Sequence, residues 1–158
     1  VRLAPALLLA LAACTAAPEL LPHERAAGAA AFTAWAQAGL PEPDKGRCDV
    51  RTFRVRMASA ERFVQDCRTA PEAAYACTAW ETTDELFRWR DVPVVVIAPW
   101  WHSEPGIVVH EICHALIRCS GIGPSARDAG DSKHTDPRVW KAEGGETSVQ
   151  ARAMKLLE

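Results

Sequence analysis

The chain has 158 residues, 49% apolar and 24% charged, which is enough for one domain with a real core. Its formal charge of −2 offers no basic face, and no zinc-finger or basic-aromatic pattern is present, so a nucleic-acid partner is set aside.

The first residues, "VRLAPALLLALAACTAAPELLP", carry a basic Arg2, an apolar run from Leu7 to Ala13 and small residues before Cys14. This is the pattern of an export signal, and the run is far shorter than the roughly 20 apolar residues of a spanning helix. Leu11-Ala12-Ala13-Cys14 resembles a bacterial lipobox. The resemblance implies a signal peptide over 1–13, a lipid on Cys14 and a tether over 14–22, ahead of a domain over 23–158. The protein is then expected in the cell envelope, a monomer held to the membrane by its N-terminal lipid. Thr15 in place of Asp after the lipidated cysteine implies the periplasmic face of the outer membrane.

Without Cys14, five cysteines remain: Cys48, Cys67, Cys77, Cys113 and Cys119. An odd number leaves at least one outside intramolecular disulfides. Cys67 with Cys77 is the favoured pair. Cys113 with Cys119 requires the helix between them to have ended, because six helical residues separate two side chains by about 9 Å.

In chain order, "HERAAGAAAFTAWAQAGL" reads as an Ala-rich helix that packs Phe32 and Trp35 and stops at Gly39. "RTFRVRM" alternates, with Phe53, Val55 and Met57 on one face of a strand. Ser59 caps a helix over "AERFVQDC". "AYACTAWET" is a second alternating strand, and "VPVVVIAP" a third, either covered on both faces or an edge beside a groove. Trp80, Trp89, Trp100 and Trp101 are expected in the core or a cleft wall. Ser103 is the expected N-cap of a helix that ends near Gly121. A loop rich in Gly, Ser and Asp follows, and Pro137 is expected to start a last helix, broken or kinked at Gly144-Gly145. The order predicts an α+β fold with a small mixed or antiparallel sheet against the helix of residues 104–121.

That helix contains His110-Glu111-Ile112-Cys113-His114. Four steps of about 100° bring the two imidazoles to one face, one turn apart, where both can reach one ion. Zinc suits neutral imidazole nitrogens at about 2.0–2.1 Å. Glu111 lies roughly 100° round the helix, badly placed to ligate beside both histidines but able to touch a water on the metal, the position of a general base. Val108, Val109, Ala115 and Leu116 around it are uncharged, as burial requires. Cys113 lies beside the histidine face, close enough in sequence to approach the ion.

These residues resemble the zincin metallopeptidases. The resemblance implies a zincin-like fold, Zn2+ as cofactor, a peptide or protein substrate and Glu111 as the catalytic base, with a strand before the helix as the upper rim of the cleft, a role for Val92 to Ala98. The third ligand separates the branches. Metzincins carry Gly at the place of Ile117 and His at the place of Ser120, and this chain has neither. The thermolysin-like pattern wants Glu followed four residues later by Asp, whereas Glu143 is followed by Thr147 and Glu146 by Gln150. His134, some twenty residues past His114 and followed by Trp140, is similar to the third histidine of Spartan-like minimal zincins. His134 is therefore the first candidate beside His110 and His114, with Glu143 or Glu146, and then Asp131 or Asp136, as alternatives. Asp128, Asp131 and Asp136 are also candidates to orient a ligand ring. The rival reading is a non-proteolytic zinc-binding lipoprotein, a binding or assembly module on the same scaffold.

Overall fold

Ten short elements follow one another in the computed structural model, which describes residues 19–158 apart from 45, 47, 86, 87, 123–130 and 132. The expected signal peptide and Cys14 lie outside the described residues, as does Asp128. The helices are α1 (Pro22–Gln37), α2 (Ala60–Cys67), α3 (Pro105–Ser120), α4 (Lys141–Gly144) and α5 (Val149–Lys155), with 3-10 turns at Val50–Thr52 and Gly145–Thr147. The strands are β1 (Arg54–Met57), β2 (Ala76–Glu85) and β3 (Arg88–Ile97). The fold is α+β with a three-stranded mixed sheet, ordered β1-β3-β2.

Strand β3 is the central one, parallel to β1 with Val55 opposite Val95, and antiparallel to β2 with Thr78 also opposite Val95. Its continuous valine run follows from having both faces covered. Val95 and Ile97 join the core made by α1, α3 and α5, while Val94 and Val96 pack with Phe63 of α2 on the other side. The rim role expected of Val92 to Ala98 is thereby corrected: a strand paired on both sides has no backbone groups left for a peptide. The edge strand beside α3 is β2.

Helix α1 starts on Pro22, where a missing N–H costs nothing, and Glu24 Oε2 accepts the Leu21 N–H at 2.7 Å. Its buried side chains are mostly small, Ala27, Ala30, Ala31 and Ala34 beside Trp35, so it lies close on α3 and α5. A Cβ at Gly28 would overlap the Phe53 ring, which explains the glycine in mid-helix. Ser59 caps α2 as expected, accepting from Arg62 N–H.

Two disulfides brace the sheet and helices. Cys67–Cys77, the favoured pair, ties the end of α2 to β2, and Cys48–Cys119 ties the last turn of α3 to the segment before β1. Cys113 cannot pair with Cys119 because α3 continues through Ser120. Three other expectations change. Glu104, not Ser103, occupies the N-cap of α3, and Ser103 Oγ instead meets His23 Nε2 at 3.0 Å. Trp89 and Trp100 are exposed rather than packed. The last helix does not start at Pro137: the Arg138 and Val139 carbonyls accept from Val149 and Gln150 N–H, so residues 137–139 form a turn, and two short helices follow. The break at Gly144-Gly145 is present, with Gly145 at φ 57° and a Cβ at Gly144 overlapping the Pro137 carbonyl. Among the described residues no helix is long and apolar enough to cross a membrane.

Candidate metal centre

Helix α3 buries Val108, Val109, Ile112, Cys113, Leu116 and Ile117, leaving the stripe of His110 and His114 to face a cleft. The third residue of the group is His134, carried by the loop before α4. The Nε2 atoms of His110 and His114 are 3.3 Å apart, and that of His134 is 3.1 Å from each. A ring nitrogen has one in-plane bonding direction, so three that converge on one point cannot all be satisfied by one another. Donors about 2.05 Å from a tetrahedral ion stand about 3.3 Å apart, which these separations match. The group can hold a metal ion.

The alternatives to His134 lie elsewhere. Glu143 is exposed, Glu146 is held by Lys141 and Lys155, and Asp136 is engaged by the Arg138 guanidinium at 2.6 Å, which keeps its carboxyl below the ordinary range. Cys113 points into the core rather than to the histidines, and burial, with the Glu111 charge adding, pushes its thiol up to about 12. It is a packing residue.

What positions His134 is Asp131. Its two carboxylate oxygens accept from Thr135 N–H at 2.8 Å, Thr135 Oγ1 at 3.0 Å, Asp136 N–H at 2.9 Å and the Trp140 indole at 2.7 Å. Burial alone would raise this carboxyl, but those hydrogen bonds together hold it below its ordinary value. The Asp131 carbonyl also accepts the His134 N–H, closing a turn in which both residues have left-handed φ, 60° and 54°. Asp131 thus orders the loop backbone and not a ligand ring. Trp140, anchored by the same carboxylate, lies 5.0, 4.6 and 4.5 Å from the rings of His110, His114 and His134, and forms the wall behind all three. Gln150 Nε2 lies 3.2 Å from His110 Nδ1, and Gln150 Oε1 accepts the Lys141 N–H at 3.1 Å, so the amide ties the His110 ring to the start of α4.

Burial, then the neighbouring His114 and His134, lower His110 to about 3, so it stays a neutral donor at any ordinary pH. Glu111 is 5% exposed. Burial pushes its carboxyl up to about 7, against the opposing hydrogen bond from Thr78. Thr78 Oγ1 is 2.8 Å from both the Glu111 carbonyl and Oε2, which fixes this side chain to β2. The cleft, about 1280 Å³, runs between β2 and α3 and is open to solvent. A smaller apolar cavity of about 470 Å³, lined by Phe32, Trp35 and Leu40, shares no residue with it.

Sequence reasoning missed Thr78 and Gln150, whereas a turn-forming role is the ordinary expectation for a loop aspartate such as Asp131. No local signal marks Thr78 or Gln150, and the reach of Asp131 to N–H groups four and five residues on is longer than an ordinary Asx turn. The chain matches no protein-family model, no curated protein and no solved structure.

Proposed function

We propose that the protein is a zinc-dependent metallopeptidase of minimal zincin type, with His110, His114 and His134 as ligands and Glu111 as the general base. The observation that carries the reading is the convergence of three imidazole nitrogens beside a buried carboxyl in an open cleft. Three protein donors leave a coordination position for substrate, whereas structural zinc sites use four. Zinc held there supplies Lewis acidity, polarising a scissile carbonyl and lowering the pKa of water toward about 7.

The rest of the work falls to the chain. Gln150 and Trp140 hold the ligand rings, and Asp131 holds the loop of His134. Glu111, fixed by Thr78, accepts the proton of the attacking water on its carboxylate and then delivers it to the leaving amine nitrogen. Burial by itself holds this carboxyl up near 7, and a cation bound at the triad would act against burial and favour the charged form needed for the first transfer. The free edge of β2 offers main-chain groups to an extended peptide, which would lie across the cleft as an added strand. Glu111→Gln tests this reading: it should retain zinc and lose hydrolysis of an unstructured protein by up to about 10⁴-fold. Full activity in that variant would remove Glu111 from the mechanism. Stoichiometric zinc in a wild type that cleaves nothing would return the chain to the non-proteolytic binding module.

Export and tethering at Cys14 belong to the same proposal. The two disulfides support an oxidising compartment. In a bacterial host, Cys14→Ser should release the protein from membranes, and continued membrane recovery would refute the anchor.

A further inference from the structure

The cleft carries a second charged group that the proposed chemistry does not use. Arg118 lies one turn past His114 on α3, about 6 Å further along the helix axis. Its guanidinium carbon is 4.1 Å from the centre of the Trp80 ring. Trp80 stands two residues beyond Thr78 on β2, hence on the same face as the threonine that grips Glu111. Arg118 and Trp80 therefore form a platform beside the triad, and both line the same cleft.

The guanidinium is under-used. It has five N–H donors. Among the described residues its one acceptor is Asp91, at 3.4 Å, well beyond the roughly 2.7–2.9 Å of a good charge-assisted bond. Asp91 is itself shared with Thr82 Oγ1 at 3.2 Å. The Arg118 side chain is 32% exposed, so its remaining donors reach the solvent of the cleft. Stacking on the indole fixes the plane of the fork, which is the preorganisation that bidentate carboxylate binding needs. The only other cation lining the cleft among the described residues, Arg68, lies at the end of α2 beside the Cys67–Cys77 disulfide.

The geometry points to an anion subsite at Arg118 and Trp80 that takes a carboxylate of the peptide substrate, an inference that rests on the metallopeptidase reading. Strand residues advance about 3.3 Å each, so a peptide lying along β2 presents its carboxylate within roughly two residues of the bond beside Glu111. The carboxylate comes either from an acidic side chain or from the chain terminus, and the cleft then selects acidic peptides over their neutral isosteres.

The test uses zinc-loaded Glu111→Gln protein, to bind without cutting, and fluorescein-labelled, C-terminally amidated alanine-rich hexapeptides. Glutamate is scanned through each position against glutamine at the same position, and one all-neutral peptide is also made with a free C-terminal carboxylate. Affinities are read by fluorescence anisotropy. Glutamate at one or two positions should bind about tenfold tighter than glutamine. In Arg118→Gln that ratio should fall to near one, and in Asp91→Asn, which frees the guanidinium, it should rise. A gain confined to the free-terminus peptide assigns the subsite to a terminal carboxylate. Equal affinity for all acidic and neutral peptides, or a preference that survives Arg118→Gln, overturns the subsite while leaving the cleft a peptide site. Failure of every peptide to bind overturns both.

Discussion

Asp131→Ala should break the metal centre without touching a ligand. The carboxylate is 3% exposed and accepts four hydrogen bonds. Two of the donors it serves, the Asp136 N–H and the Trp140 indole, are themselves buried, and alanine leaves both without a partner. Each orphaned buried donor costs about 1–3 kcal/mol, while the two Thr135 groups are partly exposed and can turn to water. The expected loss is about 3–5 kcal/mol, a large share of the roughly 5–15 kcal/mol that holds a domain together. Asp131→Asn is the control, because Oδ2 alone carries three of the four bonds and an amide oxygen can replace it there. It should cost only about 1–2 kcal/mol, the difference between charged and neutral acceptors. The pair also separates in pH. Because the folded carboxyl titrates below its ordinary value of 3.8, its contribution is complete above about pH 5 and is lost as pH falls through the folded value. The wild type should lose this increment on acidification and Asp131→Asn should not. Urea unfolding of the metal-free proteins gives the stabilities, and competition with a chelator gives the metal affinities. An alanine variant that loses less than about 1 kcal/mol and binds metal as well as the wild type would show that the loop of His134 does not depend on this carboxylate.

His110→Ala, His114→Ala and His134→Ala should each abolish stoichiometric metal binding, while Glu143→Ala and Glu146→Ala retain it; metal analysis of the purified variants decides. Gln150→Ala should weaken metal affinity by about 10–100-fold, since it loosens one ligand ring without removing it. The disulfides should differ in worth: loop closure over a separation of 71 residues makes Cys48–Cys119 worth about 4 kcal/mol, and over 10 residues Cys67–Cys77 about 3 kcal/mol. Thermal unfolding of the two double-serine variants tests the order, and a smaller loss for Cys48–Cys119 would refute the chain-entropy account.

The parts of the site that share one helix were legible in the sequence, because helical period alone puts His110 and His114 on one face and Glu111 beside it. The covered strand was legible too, since a run such as Val94-Val95-Val96-Ile97 has no polar face to offer water. Which strand forms the edge was not, because strand order is decided by long-range pairing, and β1 joins β3 across α2 and β2. For the same reason Thr78 and Gln150, thirty-three and forty residues from their partners, carried no local mark. His134 was found through a resemblance and not through spacing, since a loop ligand has no period. The last helix was misplaced because its first residues look helical locally, while their carbonyls are claimed by the chain eleven residues on.

The open edge of β2 has a colloidal consequence. An edge strand open to a peptide would also be open to the same strand of a second molecule, and exposed edges are where sheet proteins aggregate. The protein cannot seal this edge with a further strand or a proline without closing its own cleft. Here the edge is recessed between α3 and the turn after α2, and Cys67–Cys77 keeps that wall in place. Reduction of Cys67–Cys77 would therefore cost the protein its dispersion as well as about 3 kcal/mol of stability. The covalent brace that shapes the cleft is also what keeps neighbouring copies out of it.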